Sequence, residues 1–576
     1  MSKFKKKMKQ LFIYIFLLAA LSSFAQKKGN FNFGFESNMQ YNLFDLYEVA
    51  IDEDNFRSNN YFNVDYSINK FSFGIQIEGY APNAILNYSP TYNKQIGLAT
   101  AFAKYKNDKI ETTLGNFHEQ FGSGLTLRSW EDRQLGINNT LLGGRIKYNL
   151  SKDIQLTGLV ARQRNGFEIS DSNIYGFNSE INLNSFIKLN KIGLNIGLSY
   201  VGKDEDYIST TPGFRGDPFP NYVYTTSTRL DATIANFYLS SEYIYKSDDV
   251  RIRTGGIVRE NNKFDGNAIL LTVGYSKKGL GISNTFRRLE NMDFYSERNA
   301  AGNSFNEQIM NYIPGLSKQH DYSLTNIYVY QPQSGLSYSN LEIDEDTGNI
   351  IGGTIGDGEI GDQIDIYYKI KKGTLLGGKY GTKIAANFSH WAGLYTTIDK
   401  SQNYISEYDI EYKTDFLNYR DLYFRDANIE IRKKISKKWS SIFSYINLYY
   451  NKKVLENKEG VVHANIAIAE ATHKIGGGKA IRAEIQHLWT NQDKKNWAAG
   501  TLEYNASTKL SFFATDMYNY GKNNEHFYNF GTSYTKGKSR FALSYGKQRG
   551  GLLCVGGVCR EVSASTGFNF SIVTSF

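Results

Sequence analysis

After its first two dozen residues the chain has no long apolar run, so no segment reaches the eighteen or more apolar residues of a membrane-crossing helix. Proline is scarce, at 7 of 576 residues, and the chain is not low in aromatics, which argues against a disordered or linker-like polymer. Neither charge sign dominates. The formal +9 includes five lysines near the N-terminus, and the +4 left after them is too dispersed for a nucleic-acid-binding surface. Cysteine appears only twice, as Cys554 and Cys559 in LLCVGGVC, which excludes a disulfide-rich scaffold or a multi-cysteine metal site. Catalytic signatures are also missing. His118-Glu119 has Gly122 where a zinc-protease helix needs its second histidine, and Gly122-Ser123-Gly124 lacks the Gly-x-Ser-x-Gly frame. We therefore expect no enzyme activity and no cofactor, although a hydrolase assembled from side chains on separate strands stays formally open.

What the chain has is aromatic residues in quantity: 43 Tyr and 37 Phe, with a negative mean hydropathy of -0.45. That combination fits a sheet with one polar and one aromatic-rich face. Residues 1–25 read as a secretory signal peptide. Lys3, Lys5, Lys6, Lys7 and Lys9 form the basic region, Leu11–Leu21 the apolar core, and Ser23-Phe24-Ala25 the cleavage site before Gln26. The apolar core is too short for a spanning anchor, and Gln26 stands where a lipoprotein would have cysteine. Residues 26–576 are expected to form one domain.

The last stretch, SASTGFNFSIVTSF, shows the period of two most clearly. Phe568, Phe570, Ile572, Thr574 and Phe576 share one parity; Ser565, Gly567, Asn569, Ser571 and Ser575 share the other. Such alternation is a strand whose faces meet different solvents. An apolar parity ending on an aromatic residue suits the closing strand of an outer-membrane barrel, with Phe576 at the interfacial girdle. The expected partners are outer-membrane lipid and, during biogenesis, the barrel-assembly machinery that such a terminus would engage.

Upstream, paired alternating segments flank tight reversals, as at Asn69-Lys70, Asn190-Lys191, Gly476-Gly477-Gly478 and Lys536-Gly537-Lys538. Between these hairpins lie long polar stretches, including 81–95, 203–221, 291–318, 331–357 and 390–416. Short turns alternating with long loops predict an all-β, antiparallel up-and-down transmembrane barrel with short periplasmic turns and long extracellular loops. The expected strand number is about 24–26, with 22 possible. The tally is odd, and the ambiguity lies between Arg288 and Glu359: either one strand hides near 291–311, or Tyr322–Tyr330 stays out of the wall. A propeller would repeat a blade every 40–50 residues or so, and no such repeat occurs. Alternation starts too early to leave room for a transporter's plug domain.

The densest group of unusual residues is GNFHEQFGSGLTLRSWEDRQLG, Gly115 to Gly136. Glycines 115, 122 and 124 suggest sharp bends and an inward fold. His118, Glu119, Arg128, Glu131, Asp132 and Arg133 are then candidates for a charged lumen constriction, since charged rings tune what a pore passes. The alternative is that the arginines pair with Glu131, Asp132 or facing carboxylates and brace the barrel. Arg145, Lys147 and Arg162 are read as inward cations. Asp344 and Asp346 have calcium-loop spacing, but Gly348 and Ile355 break the ligand pattern, leaving an exposed hairpin tip. In an oxidising compartment Cys554 and Cys559 are expected to form a structural disulfide across a tight turn.

On Gly115–Arg128, RRLENMDF (Arg287–Phe294), NYIPGLSKQHD (Asn311–Asp321), GGKYGTKIAANFS (Gly377–Ser389) and Cys554–Phe576, the chain resembles an uncharacterised outer-membrane barrel family of the Bacteroidota, a domain of unknown function. The resemblance covers nearly all of the mature chain. It implies fold and location and carries no substrate. Two functions follow as expectations: a channel-type or transport-associated barrel with a partly obstructed lumen, or a non-conducting scaffold or accessory subunit of an envelope complex with partners unknown.

Overall fold

A computed structural model describes residues 29–43, 55–85, 95–187, 191–206, 220–253, 257–298, 309, 318, 320, 322–333, 336–343, 350–398, 412–456, 458–555 and 558–576. Residues 1–25, expected to be a signal peptide, lie outside the described residues, as do Asp344, Asp346 and Gly348.

Alternating sequence becomes one sheet. Its 25 strands include a 24-strand ring; the remaining one, the two-residue Glu168–Ile169, pairs only with the top of Ile154–Asn165. Every ring strand pairs antiparallel with its neighbours in chain order, and the first strand, Asn30–Asn42, closes onto the last, Ser565–Ser575. Tyr41 faces Phe568 and Met39 faces Phe570 across that seam. Closure removes both sheet edges, the condition for a sheet to sit in hydrocarbon. The apolar parity of the last strand points outward, leaving Phe568 45% and Phe576 64% exposed.

The turns at one rim are short because each needs only a residue or two in unusual backbone geometry. Asn69, at the expected reversal, has φ 53°, and the glycines at 476–478 all have positive φ. At the other rim some hairpins rise well past the 9–11 residues or so that cross a bilayer. Phe237–Arg253 and Ile257–Lys277 run for 17 and 21 residues, Thr382–Ile398 and Tyr412–Lys434 for 17 and 23. Strand therefore continues into the region from 390 to 416 that reads as a loop in sequence.

The odd strand tally is resolved between Glu290 and Glu359, whose strands are direct neighbours. Tyr322–Tyr330 does not join the wall. It holds a 3-10 turn, Ser323–Asn326, and is buried inside the barrel. Cys554 and Cys559 stand directly opposite each other in the two-stranded hairpin Gly551–Val555/Val558–Val562.

Candidate functional site

The segment between strands Ile110–Phe117 and Leu141–Asn149 folds into the lumen, and its glycines make this possible. Gly115, Gly122 and Gly124 have φ of 98°, 53° and 94°, the left-handed region that side chains disfavour. A Cβ at Gly122 would lie 2.6 Å from both Arg229 Cδ and Glu242 Oε1, so the turn seats directly on the wall. Two-residue ladders, Gln120–Phe121 with Leu127–Arg128 and Glu131–Asp132 with Ile137–Asn138, satisfy part of the buried backbone.

Apolar contact holds the segment down. Phe121, Leu125 and Leu127 are at most 1% exposed and pack on lumen-facing Leu159, Ile174, Val201 and Ile244. Burial of such a side chain stabilises by about 1.5–3 kcal/mol each. Charged anchors surround this core. Arg133 lies 2.7 Å from Glu36 on the first strand and 2.8 Å from Glu131, with Tyr61 under its guanidinium. Glu119 receives Arg145 at 2.9 Å and Lys147 at 2.8 Å. Asn138 donates to Glu78, which Arg164 grips at 2.7 Å. The Arg128 guanidinium lies 3.9 Å over Trp130, and Asp132 caps its own turn by accepting from the backbone N–H of Gln134 and Leu135. All six candidate residues thus lie in the inward segment, with Glu119, Glu131 and Arg133 tying it to the wall. Arg162 is placed differently from its reading as an inward cation. Arg145 faces Leu159 in register, which puts Arg162 on the opposite, outward parity, where it donates to Asn173.

His118 opens this segment with its side chain solvent-exposed. Partial desolvation by the protein packed around it draws its imidazole below the usual histidine range, opposed by the Glu131 carboxylate and by Asn138. The seated segment therefore resists a proton that the released segment accepts near pH 6.5 or so. Stability from this group is full above that value and falls as pH drops through it. Limited proteolysis of the segment is expected to quicken between pH 7.5 and 5 or so, less in His118→Gln; equal rates in both proteins would refute this role.

A second inward segment contains Tyr322–Tyr330, the stretch that stays out of the wall. Its described residues, among them 291–298, 309, 318, 320 and 322–333, lie between the strands that end at Glu290 and begin at Glu359. Its Met292, Phe294 and Ile309 join the first core; a backbone bond from Arg128 N–H to Ile309 O (3.0 Å) links the two segments, and one from Ile309 N–H to Phe294 O (2.8 Å) holds the second segment to itself. Farther on, Leu324, Ile327, Tyr328 and Tyr330 cover lumen-facing Ile446, Leu448, Val462 and Ile466. Leu324 N–H donates to Gln486 Oε1 at 2.9 Å, and Lys494 Nζ to Ile327 O at 3.3 Å. Its return is fixed by Glu359, which is fully buried and accepts from Arg287, from Tyr330 Oη and from Gln333 N–H. Arg287 in turn lies 4.8 Å over Trp391. The available signal is the run Val462, Ala464, Ile466 and Ile468 on the lumen parity of Val461–Gly476, which needs an apolar cover.

A closed antiparallel ring with an apolar outer parity and two segments packed in its lumen defines an outer-membrane-type β-barrel. The chain belongs to a family of unknown function, DUF6029, whose profile matches residues 7–576. No match is found among curated protein sequences. Similar solved structures include the P pilus usher PapC translocation pore (9% identity, TM-score 0.41, covering 95% of this chain and 99% of that one). They also include the siderophore receptor PirA from Pseudomonas aeruginosa (10%, 0.40, 96% and 81%) and the copper transporter OprC (9%, 0.41, 96% and 82%).

Proposed function

We propose that this protein is a transport-associated barrel of a Bacteroidota outer membrane whose lumen is obstructed at rest. Export by residues 1–25 and insertion by the barrel-assembly machinery belong to this reading, as does the absence of enzymatic activity. One observation carries it: both inward segments bury apolar side chains against an apolar stretch of lumen wall and are bonded to each other. A barrel of this strand number otherwise encloses a wide aqueous channel. His118, Glu119, Arg128, Glu131, Asp132 and Arg133 would then set what passes when the obstruction shifts. Purified protein in planar bilayers is expected to be quiet. Steady ion-selective steps in the unmodified protein, altered by Arg128→Gln or Arg133→Gln, would instead indicate an open pore. The same burial favours a second reading, a non-conducting scaffold, in which case no treatment of the segments yields transport and the protein co-purifies with envelope partners.

A disulfide between Cys554 and Cys559 is part of the proposal, favoured by their opposed positions on the outer hairpin. Intact mass should fall short of the dithiol by two hydrogens until a reductant is added. Two freely alkylated thiols in protein from oxidising conditions would rule it out.

A further inference from the structure

The short-turn rim of this barrel is lined with cations. Eleven short turns join the ring strands there, and nine of them carry a solvent-exposed lysine. The acids within those turns are Asp108 and Asp153. The bias peaks where two turns adjoin. Residues 371–381 and 435–438 lie at the same end of the paired strands Thr382–Ile398 and Tyr412–Lys434. They hold Lys371, Lys372, Lys379, Lys437 and Lys438, all exposed, and no acid.

Apolar side chains stand among these lysines. Leu375 is 98% exposed, and Leu376, Ile435 and Trp439 are exposed beside it. One exposed leucine is ordinary, but four large apolar side chains gathered on one edge mark a contact surface. The larger turn is well braced. Thr374 Oγ1 donates to Lys371 O at 2.9 Å and accepts from Gly377 N–H at 3.0 Å, while Gly373 N–H donates to Gly378 O at 2.8 Å. Its leucines are therefore held outward by the backbone that carries them.

The turn leans under the lipid-facing side of the wall. Leu376 O accepts from Thr382 Oγ1 at 2.7 Å and from Lys433 Nζ at 3.2 Å. Thr382 and Lys433 pair across the two strands and share the outward parity of Phe388 and Ile429. Trp439, next to Lys438, shares the outward parity of Phe443 and Tyr445, where an interfacial aromatic belongs. Lysine heads beside leucine and tryptophan match a surface with phosphate above acyl chain: the apolar groups enter the boundary and the ammonium groups reach the headgroups. An acidic protein docking from below would meet one arc, whereas lysines recur around nearly the whole ring, as a surrounding leaflet does.

We propose, on the membrane-barrel reading above, that this arc of the rim binds anionic phospholipid headgroups of the leaflet the short turns meet. Trp439 reports on it directly. Trp489→Phe removes the other outward tryptophan, since Trp391 and Trp497 are buried in the lumen and Trp130 lies in the first inward segment. The full mature chain with that exchange is reconstituted into mixed phosphatidylcholine and phosphatidylglycerol vesicles, with one lipid or the other brominated near its headgroup. Quenching of Trp439 is expected to show phosphatidylglycerol enriched at least about threefold beside it, less so at high salt. Exchanging Lys371, Lys372, Lys437 and Lys438 together for Gln should abolish the enrichment while quenching by phosphatidylcholine persists. Lys70→Gln with Lys109→Gln, on the far side of the ring, should leave it unchanged. Equal quenching by the two lipids, or enrichment that survives the quadruple exchange, overturns the inference and leaves the lysines to an acidic protein. No quenching by either lipid would instead sink the membrane reading itself.

Discussion

Replacing residues 119–139 with a short Gly-Ser linker is expected to convert a quiet barrel into one with large, long-lived conductance steps. The segment fills lumen space that a wall of this size leaves wide. Its removal also exposes the apolar wall around Leu159, Ile174 and Ile244 to water, so the variant should melt lower. A point change separates the two effects. Leu127→Asp places a charge where the side chain is 1% exposed, and a buried charge without a partner is not tolerated, so the segment should leave its seat while the wall persists. Leu127→Ala should cost about 2–5 kcal/mol of seating and open the lumen only transiently. Planar-bilayer recording of the three variants checks the order. If all stay silent while the barrel remains heat-modifiable on gels, the obstruction lies elsewhere and the transport reading fails.

Arg287→Ala should be the most destabilising single exchange in the second segment. Arg287 and Glu359 are both fully buried and bonded to each other, and Glu359 also anchors Tyr330 and Gln333. Removing one partner of such a pair costs about 3–5 kcal/mol because the other charge is stranded. Replacing both, as Arg287→Met with Glu359→Gln, should recover most of that loss, since the stranded charge disappears and Gln333 keeps an acceptor. Thermal melts of the singles and the double form the cycle; a double variant no better than Arg287→Ala would show that the pair itself, and not the stranded carboxylate, sets the stability.

The wall was legible because it depends on local alternation. Phe568, Phe570 and Ile572 announce a lipid-facing parity within a few residues of each other, and Asn69-Lys70 announces its turn. Glycines 115, 122 and 124 likewise marked an inward bend, and positive φ at all three is what such a bend requires. The second inward segment was hidden because its cues are distant. Tyr330 meets Glu359 only once strands Leu280–Glu290 and Glu359–Ile370 have paired, and Leu324 finds Gln486, 162 residues away, only after the ring has closed.

By itself, then, the sequence determined a ring of alternating strands with short turns below and long loops above, because strand period and turn chemistry act over a few residues. Tertiary structure alone decided what occupies the interior. Which charges are matched and which apolar wall residues are covered depend on side chains that meet across the lumen, and no local pattern encodes that meeting.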